Sequence, residues 1–305
     1  MLTYVLRRLL LVIVVVWGAA TLAFGLLYLS GDPVNLLLPL DASPEARQEL
    51  RRAYGFDKPL YVQYGRYLVK LVHGDFGTSL RSEEPALGLV LQRMGPTLTL
   101  AGWGLLFAVV FGVPAGVLAA VRKGTFVELL TMTLALLGQS VPVFWLGLML
   151  ILVFGLRLHW LPISGAGSWK HLVLPTITVG TFVTASIARL TRSGVITELR
   201  SDHVRTARAK GLSGRVVVYK HALRNAAIPV VTIIGLQLGA LLSGAVITET
   251  IFAWPGIGRF VLIAVSQHDF PVVQATVVVF ALMLAFVNLI VDLAYLWLDP
   301  RVRYS

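Results

Sequence analysis

The chain has 305 residues, of which 57% are hydrophobic and only 13% charged, with a mean hydropathy of +0.80. A water-soluble globular domain does not combine those values, so the expected solvent is a bilayer. The net charge of +11 argues no nucleic-acid role, because the basic residues cluster at the ends of apolar runs, and the absence of cysteine excludes disulfides and thiolate metal sites.

In chain order, Arg7-Arg8 precede an apolar run from Leu9 to Leu29. The run is too long for the core of a signal peptide, and Ser30-Gly31-Asp32-Pro33 offers no small-residue cleavage site, so residues 1–30 read as a tail and an uncleaved first transmembrane helix. A hydrocarbon core of ~30 Å needs about 20 helical residues. Six segments qualify: 9–29, 97–121, 129–155, 172–192, 228–248 and 273–298. Each is apolar on nearly every face, which separates it from an amphipathic surface helix. Pro114, Pro142, Pro175 and Pro229 interrupt them, but neighbouring helices can re-satisfy the carbonyls a proline frees.

Between the first two spans lies the longest polar stretch, residues 31–96. Pro44–Arg52 predicts an amphipathic helix with Ser43 as its N-cap and proline at the first helical position. Tyr61–Val72 predicts a second helix, tyrosine-rich and suited to a headgroup layer. This segment reads as a helical external subdomain that caps the bundle.

Orientation follows from the short loops. Arg7, Arg8, Arg122, Lys123, Arg301, Arg303 and nine basic residues around the 193–227 loop lie on one side, whereas the short opposite loops hold Arg157, Lys170 and Arg259. The basic side faces the cytoplasm by the positive-inside rule, so both termini, including the 299–305 tail, are expected there. The core is then 97–298, with the 193–227 loop projecting inward.

The chain has no GxxxxGK[ST] and no GxSxG, and its six histidines (73, 159, 171, 203, 221, 268) form no HxxxH or HExxH spacing. No catalytic, cofactor or metal site is expected. Charged residues such as Glu128, Arg189, Arg192, Glu249 and Asp292 fall near span ends, not at the midplane where an ion-coupled carrier binds its ion. The fourth span is unusually hydroxylated, with Thr176, Thr178, Thr181, Thr184 and Ser186. Two readings stand for it. Thr178, Thr181, Thr184 and Ser186, with Gln237 on the fifth span, line a solute path; or the hydroxyls bond their own i−4 carbonyls and let helices pack closely.

Asp202-His-Val-Arg-Thr-Ala-Arg-Ala-Lys-Gly-Leu212 is a short, basic, helix-prone run inside the 193–227 loop. Asp202 suits the N-cap of a helix, where its charge meets the positive end of the dipole, and Gly211 suits the left-handed residue that stops one. Ala207 and Gly211 are small enough for another protein to approach the backbone, and Arg205, Arg208 and Lys210 can meet acidic groups. Docking to a partner protein and adsorption to anionic headgroups both fit that composition.

The same run, with His221-Ala-Leu-Arg-Asn-Ala226 and Ile228-Pro229, resembles the coupling loop of binding-protein-dependent ABC importer permeases, in the dipeptide/oligopeptide/nickel branch. The resemblance extends along nearly the whole chain. It includes Tyr4–Leu9, Gly31-Asp32-Pro33, Gly55–Leu60, Gly74–Ser79, Glu249-Thr-Ile-Phe-Ala-Trp-Pro-Gly-Ile-Gly-Arg259, Asp269–Gln274, Asn288–Asp292 and Asp299–Tyr304. The general Glu-Ala-Ala pattern of importers is altered: aligned on Gly211, Arg205 stands at the glutamate, Thr206 at the first alanine and Ala207 at the second. The resemblance implies an all-α integral membrane protein of six transmembrane helices in the type I importer permease fold. It implies that Asp202, Arg205, Thr206, Ala207, Arg208, Lys210 and Gly211 dock a separate ATPase. The implied partners are two ATPase subunits that bind ATP and Mg, a second homologous permease chain and an extracytoplasmic substrate-binding protein. The expected location is a bacterial or archaeal cytoplasmic membrane. Peptide is the expected substrate, with nickel, other chelates or sugar-like solutes within the branch. A carrier or channel acting without an ATPase is the alternative.

Overall fold

The computed structural model describes residues 2–29, 34 and 43–298. Gly31-Asp32-Pro33 and the 299–305 tail lie outside the described residues. Among the described residues the architecture is helical, with one isolated antiparallel bridge between Thr78 and Pro85. Eleven helices are labelled in chain order: α1 Leu2–Leu29, α2 Pro44–Tyr54, α3 Leu60–Val72, α4 Ala86–Val121, α5 Phe126–Ser140, α6 Val143–Leu150, α7 Lys170–Glu198, α8 Asp202–Ala209, α9 Leu223–Ile251, α10 Ile257–Ser266 and α11 Phe270–Leu298.

Five of these helices hold a span long and apolar enough to cross a membrane: α1, α4, α7, α9 and α11. The sixth expected span, 129–155, is not one straight helix. It consists of α5 and α6, and α6 continues as a π-helix over Ile151–Arg157; the two arms meet at 100°. The cause is local. Pro142 forces the residue before it out of the helical region, and Val141 is extended at φ −72°, ψ 127°. Pro96, Pro114, Pro175 and Pro229 lie inside continuous helices instead. Helix α4 starts eleven residues before the expected boundary at 97 and runs for 36 residues. At ~1.5 Å per residue it is longer than a ~30 Å hydrocarbon core requires.

The chain divides into two compact units, Met1–Gly95 with Arg259–Phe286, and Pro96–Gly258 with the segment from Val287 on. In the first unit, α2 forms as expected. The Ser43 hydroxyl accepts from the Ala46 N–H at 3.2 Å, and Gly55 closes the helix at φ +71°. Helix α3 lies against α1, where Tyr64 shares a 2.7 Å hydroxyl contact with Thr21. The turn before α4 is tied to the start of α11. Asp269 accepts from the Ser79 hydroxyl at 2.5 Å and from the Leu80 N–H at 3.2 Å.

The second unit is built around α7, which packs on α5, α6 and α9. It also meets α4 along a stripe of small residues, Gly104, Ala108, Gly112 and Gly116, one every four positions. A Cβ on Gly116 would stand 2.5 Å from the Ala188 carbonyl oxygen, and one on Gly112 would stand 2.9 Å from the Thr184 carbonyl oxygen. The backbones therefore touch. Lipid tails solvate apolar side chains as well as other side chains do, so association between spans depends on close approach of this kind.

The same substitution should act with opposite signs at two glycines. Gly18→Ala on α1 meets nothing within 4 Å and should gain about 0.5–1 kcal/mol in helix stability. Gly116→Ala should lose about 1–3 kcal/mol by overpacking. Thermal unfolding of the detergent-solubilised variants measures both, and a neutral Gly116→Ala would reject the backbone contact.

Candidate functional site

The basic run forms α8, Asp202–Ala209, with Lys210 at its C-cap and Gly211 at φ +75°. The expected left-handed stop is present, with the Gly211 N–H on the Arg208 carbonyl at 3.0 Å and the Leu212 N–H on the Ala207 carbonyl at 3.4 Å. The start differs from expectation. Ser201 is the N-cap residue, extended at φ −71°, ψ 155°, while Asp202 is the first helical residue. Asp202 still lies at the positive end of the dipole, and its carboxylate accepts from Arg205 at 3.3 Å. Both side chains of that pair are largely exposed, so it adds little stability.

Helix α8 is amphipathic over only two turns, and each face has a definite role. Val204 and Ala207 are buried against Val217, Ala222 and Leu199 of the same chain. Ala207 therefore does not offer a partner close approach to the backbone; it seats the helix on its own protein. Asp202, Arg205, Thr206, Arg208, Lys210 and Gly211 are exposed. The Thr206 hydroxyl is turned back to the Asp202 carbonyl at 3.0 Å.

A polar clasp ties α8 to its neighbours. His203 Nε2 lies 3.4 Å from a Glu198 carboxylate oxygen at the end of α7 and 3.1 Å from the Asn225 amide nitrogen on α9. Just before α9, residues Val217–Ala222 form a π-helix, which turns Val217 and Ala222 toward α8. The result is a seat on the helix's own chain with a cationic outer face.

The hydroxyls of the fourth span resolve differently from one another. Thr178, Thr181 and Thr184 donate to the carbonyls of Leu174, Ile177 and Gly180 at 2.8, 2.6 and 2.8 Å. The i−4 bonding alternative thus accounts for all three donors. Thr178 is fully buried and packs beside Gly147. Thr181 and Thr184 border a largely apolar groove of about 360 Å³ with Phe107, Phe111 and Leu134. Ser186 and Gln237 are half-buried, and neither borders that groove. Of the five residues, only Thr181 and Thr184 border that groove.

Sequence reasoning missed Glu249. It lies in the last turn of α9, where its position suggests a span-end charge, yet it is fully buried. Its carboxylate accepts from the Thr97 hydroxyl at 2.6 Å, and the same hydroxyl oxygen accepts the Ile257 N–H at 2.9 Å. Trp254 Nε1 donates to the Pro96 carbonyl at 2.9 Å. This relay joins α4, the end of α9 and the start of α10. It also explains the Trp-Pro-Gly-Ile-Gly run: a Cβ on Gly256 would stand 2.1 Å from a Glu249 oxygen, and one on Gly258 would stand 2.6 Å from the Val246 Cα. The signal available in the sequence was an acid seven residues before a glycine that has no room for a side chain. Among the described residues no cluster of three His, Asp or Glu side chains is placed to hold a metal.

With this geometry in place, comparison with known proteins decides the family. The model of the binding-protein-dependent transport system inner membrane component matches residues 112–304, and the corresponding N-terminal membrane-component model matches residues 1–101. The chain belongs to this family. It is a multi-pass inner-membrane permease subunit of an ABC importer. Its relatives include the dipeptide transport system permease protein DppB of Alkalihalophilus pseudofirmus, 41% identical with both chains fully covered. They also include the glutathione transport system permease protein GsiC of Escherichia coli strain K12, 43% identical with both chains fully covered. In fold, the permease resembles a chain of the MetNI methionine ABC transporter in an inward-facing conformation, with a TM-score of 0.58 and 19% identity over 69% of this chain and 96% of that one. It also resembles a chain of an amino acid ABC transporter, with a TM-score of 0.53 and 14% identity over 68% and 93%. The carrier acting without an ATPase is set aside by this membership.

Thr97→Val keeps the volume of the permease's buried relay but removes its hydroxyl. It leaves Glu249 and the Ile257 N–H without that partner and should cost about 1–3 kcal/mol. Unfolding midpoints of the purified variant check this, and no shift would show that the relay is not structural.

Proposed function

We propose that this permease forms half of the translocation path of an ATP-driven importer for di- or oligopeptides. A second homologous permease chain supplies the other half. Two separate ATPase subunits bind ATP and Mg and grip the exposed face of α8. An extracytoplasmic binding protein delivers the solute to the opposite side. Both termini and the 193–227 loop are cytoplasmic, and the 31–96 segment is external. The observation that carries this reading is the seating of α8: its apolar side is fixed on its own chain, and Arg205, Arg208 and Lys210 are left exposed. A purely lipid-adsorbed helix would turn Val204 and Ala207 toward hydrocarbon instead. The basic loops between spans support the orientation through the positive-inside rule. A peptide substrate is supported by the relatives named for dipeptide and for glutathione, itself a small peptide.

Mechanically, nucleotide-driven closure of the ATPases moves two seated helices, and the Glu198–His203–Asn225 clasp passes that motion to α7 and α9. The protein then acts as a two-state element whose equilibrium the partners bias. Thr181 and Thr184 remain the path-lining candidates, because they border a groove rather than the core.

Arg205→Glu/Arg208→Glu should weaken ATPase retention by roughly tenfold, the effect of ~1–2 kcal/mol from reversing exposed contacts. Co-purification with tagged ATPase measures it, and normal yield would reject the docking face. Gly211→Ile should abolish substrate-stimulated ATP hydrolysis in proteoliposomes while insertion persists, because a β-branched residue resists φ > 0. Unchanged stimulation would show that the helix stop plays no part in coupling.

A further inference from the structure

The unit formed by Met1–Gly95 and Arg259–Phe286 contains a cavity of about 350 Å³ at the C-terminal end of α1. Its floor includes Phe24, Leu27 and Tyr28, in the last turns of an apolar span that ends at Leu29. That places the cavity where hydrocarbon gives way to headgroups, whichever side of the membrane it faces. Its aromatic residues cluster: the Phe24 ring centroid lies 5.3 Å from that of Tyr28 and 5.6 Å from that of Tyr67, with Tyr64 packed behind at 5.3 Å from Phe24.

The lining is also cationic. Arg52 comes from α2, Lys58 from the turn after it, and Arg66 and Lys70 from α3. Asp75, the carboxylate in this lining, pairs with Lys70 at 3.6 Å. Arg52, Lys58 and Arg66 have no ion pair among the described residues. Among the neutral polar groups, the Tyr67 hydroxyl is buried without a hydrogen-bond partner, whereas the others nearby are paired. The Gln63 amide donates to the Lys58 carbonyl at 2.7 Å and accepts from the Tyr28 hydroxyl, and the Tyr64 hydroxyl meets Thr21. Burial pushes the Tyr67 phenol up to about 12, with Tyr64 contributing, so this wall adds no negative charge at physiological pH. Three cations with no ion pair among the described residues, in a lining shared with apolar side chains, match a group that is anionic at one end and apolar at the other.

We propose that this cavity binds the phosphodiester headgroup of an anionic phospholipid. Arg52, Lys58 and Arg66 meet the phosphate, and Phe24, Leu27 and Tyr28 meet the first carbons of the acyl chains. A free phosphate would use the cations but leave the apolar floor idle. A zwitterionic lipid would bring a positive charge of its own against three cations. The bound lipid ties α2 and α3 to the membrane beside α1. This inference rests on the membrane span and the cavity alone, so it survives or fails independently of the ATPase-docking assignment.

The test uses the full-length chain in its assembled transporter, delipidated in neutral detergent and titrated under native mass spectrometry. The probes are dihexanoyl-phosphatidylglycerol, dihexanoyl-phosphatidylcholine and inorganic phosphate. Phosphatidylglycerol should saturate a site at least tenfold more tightly than phosphatidylcholine. The triple variant Arg52→Gln/Lys58→Gln/Arg66→Gln should weaken it about a hundredfold, roughly fivefold for each charge removed. Arg52→Lys/Lys58→Arg/Arg66→Lys should restore it, which separates charge from folding. Equal binding of the two lipids, or phosphatidylglycerol binding that ignores the triple variant, would overturn the site. Inorganic phosphate binding as tightly as phosphatidylglycerol would overturn the lipid as occupant and leave a free-anion site.

Discussion

Hydrocarbon offers a polar backbone group no partner, and that constraint organises this permease. Every spanning segment must satisfy its own N–H and C=O groups, so the spans are helices. The same constraint reaches the side chains. Thr178, Thr181 and Thr184 each turn their hydroxyl back to the carbonyl four residues earlier. Where proline forbids the helix from continuing, the chain does not stretch through the bilayer. It bends by 100° at Val141-Pro142 and resumes as helix on the far side.

Satisfying the backbone makes individual spans but does not hold them together, because lipid competes equally for apolar side chains. Two devices meet that need in the second unit. One is the stripe from Gly104 to Gly116, which lets α4 touch the backbone of α7. The other is polar: Glu249, Thr97 and the Ile257 N–H form a buried chain of hydrogen bonds at one end of the bundle. A buried carboxylate is costly unless bonded, and removing one partner costs more than the bond contributes. The relay therefore fixes one arrangement of three helix ends.

The docking helix follows a related logic at the opposite level of polarity. Two turns carry too few apolar groups to fold alone. Val204 and Ala207 borrow a core from Val217, Ala222 and Leu199, while the Glu198–His203–Asn225 clasp supplies direction. Charge is confined to the outer face, where ATPase contact is proposed, and the inner face packs on the helix's own chain.

Much of this was legible from residue order, because it depends on local chemistry. Apolar runs of about 20 residues, the Ser43-Pro44 helix start, the Gly211 stop and the alternation of basic loops all act within a few positions of where they are written. The motifs from Asp202 to Gly211 and from Glu249 to Arg259 carried the family. What the sequence did not show required two distant segments to meet. Ala207 and Gly211 look alike as small residues, but only Ala207 is covered, because Val217 and Ala222 arrive from the next element. Glu249 looks like a span-end charge until Thr97, 152 positions away, reaches it. Arg52, Lys58 and Arg66 look like an ordinary solvated face until Phe24 and Leu27 of α1 join them in one cavity lining. Local sequence sets what each helix is; the burial of a given side chain depends on which other helix stands against it, and that information belongs to the packed structure.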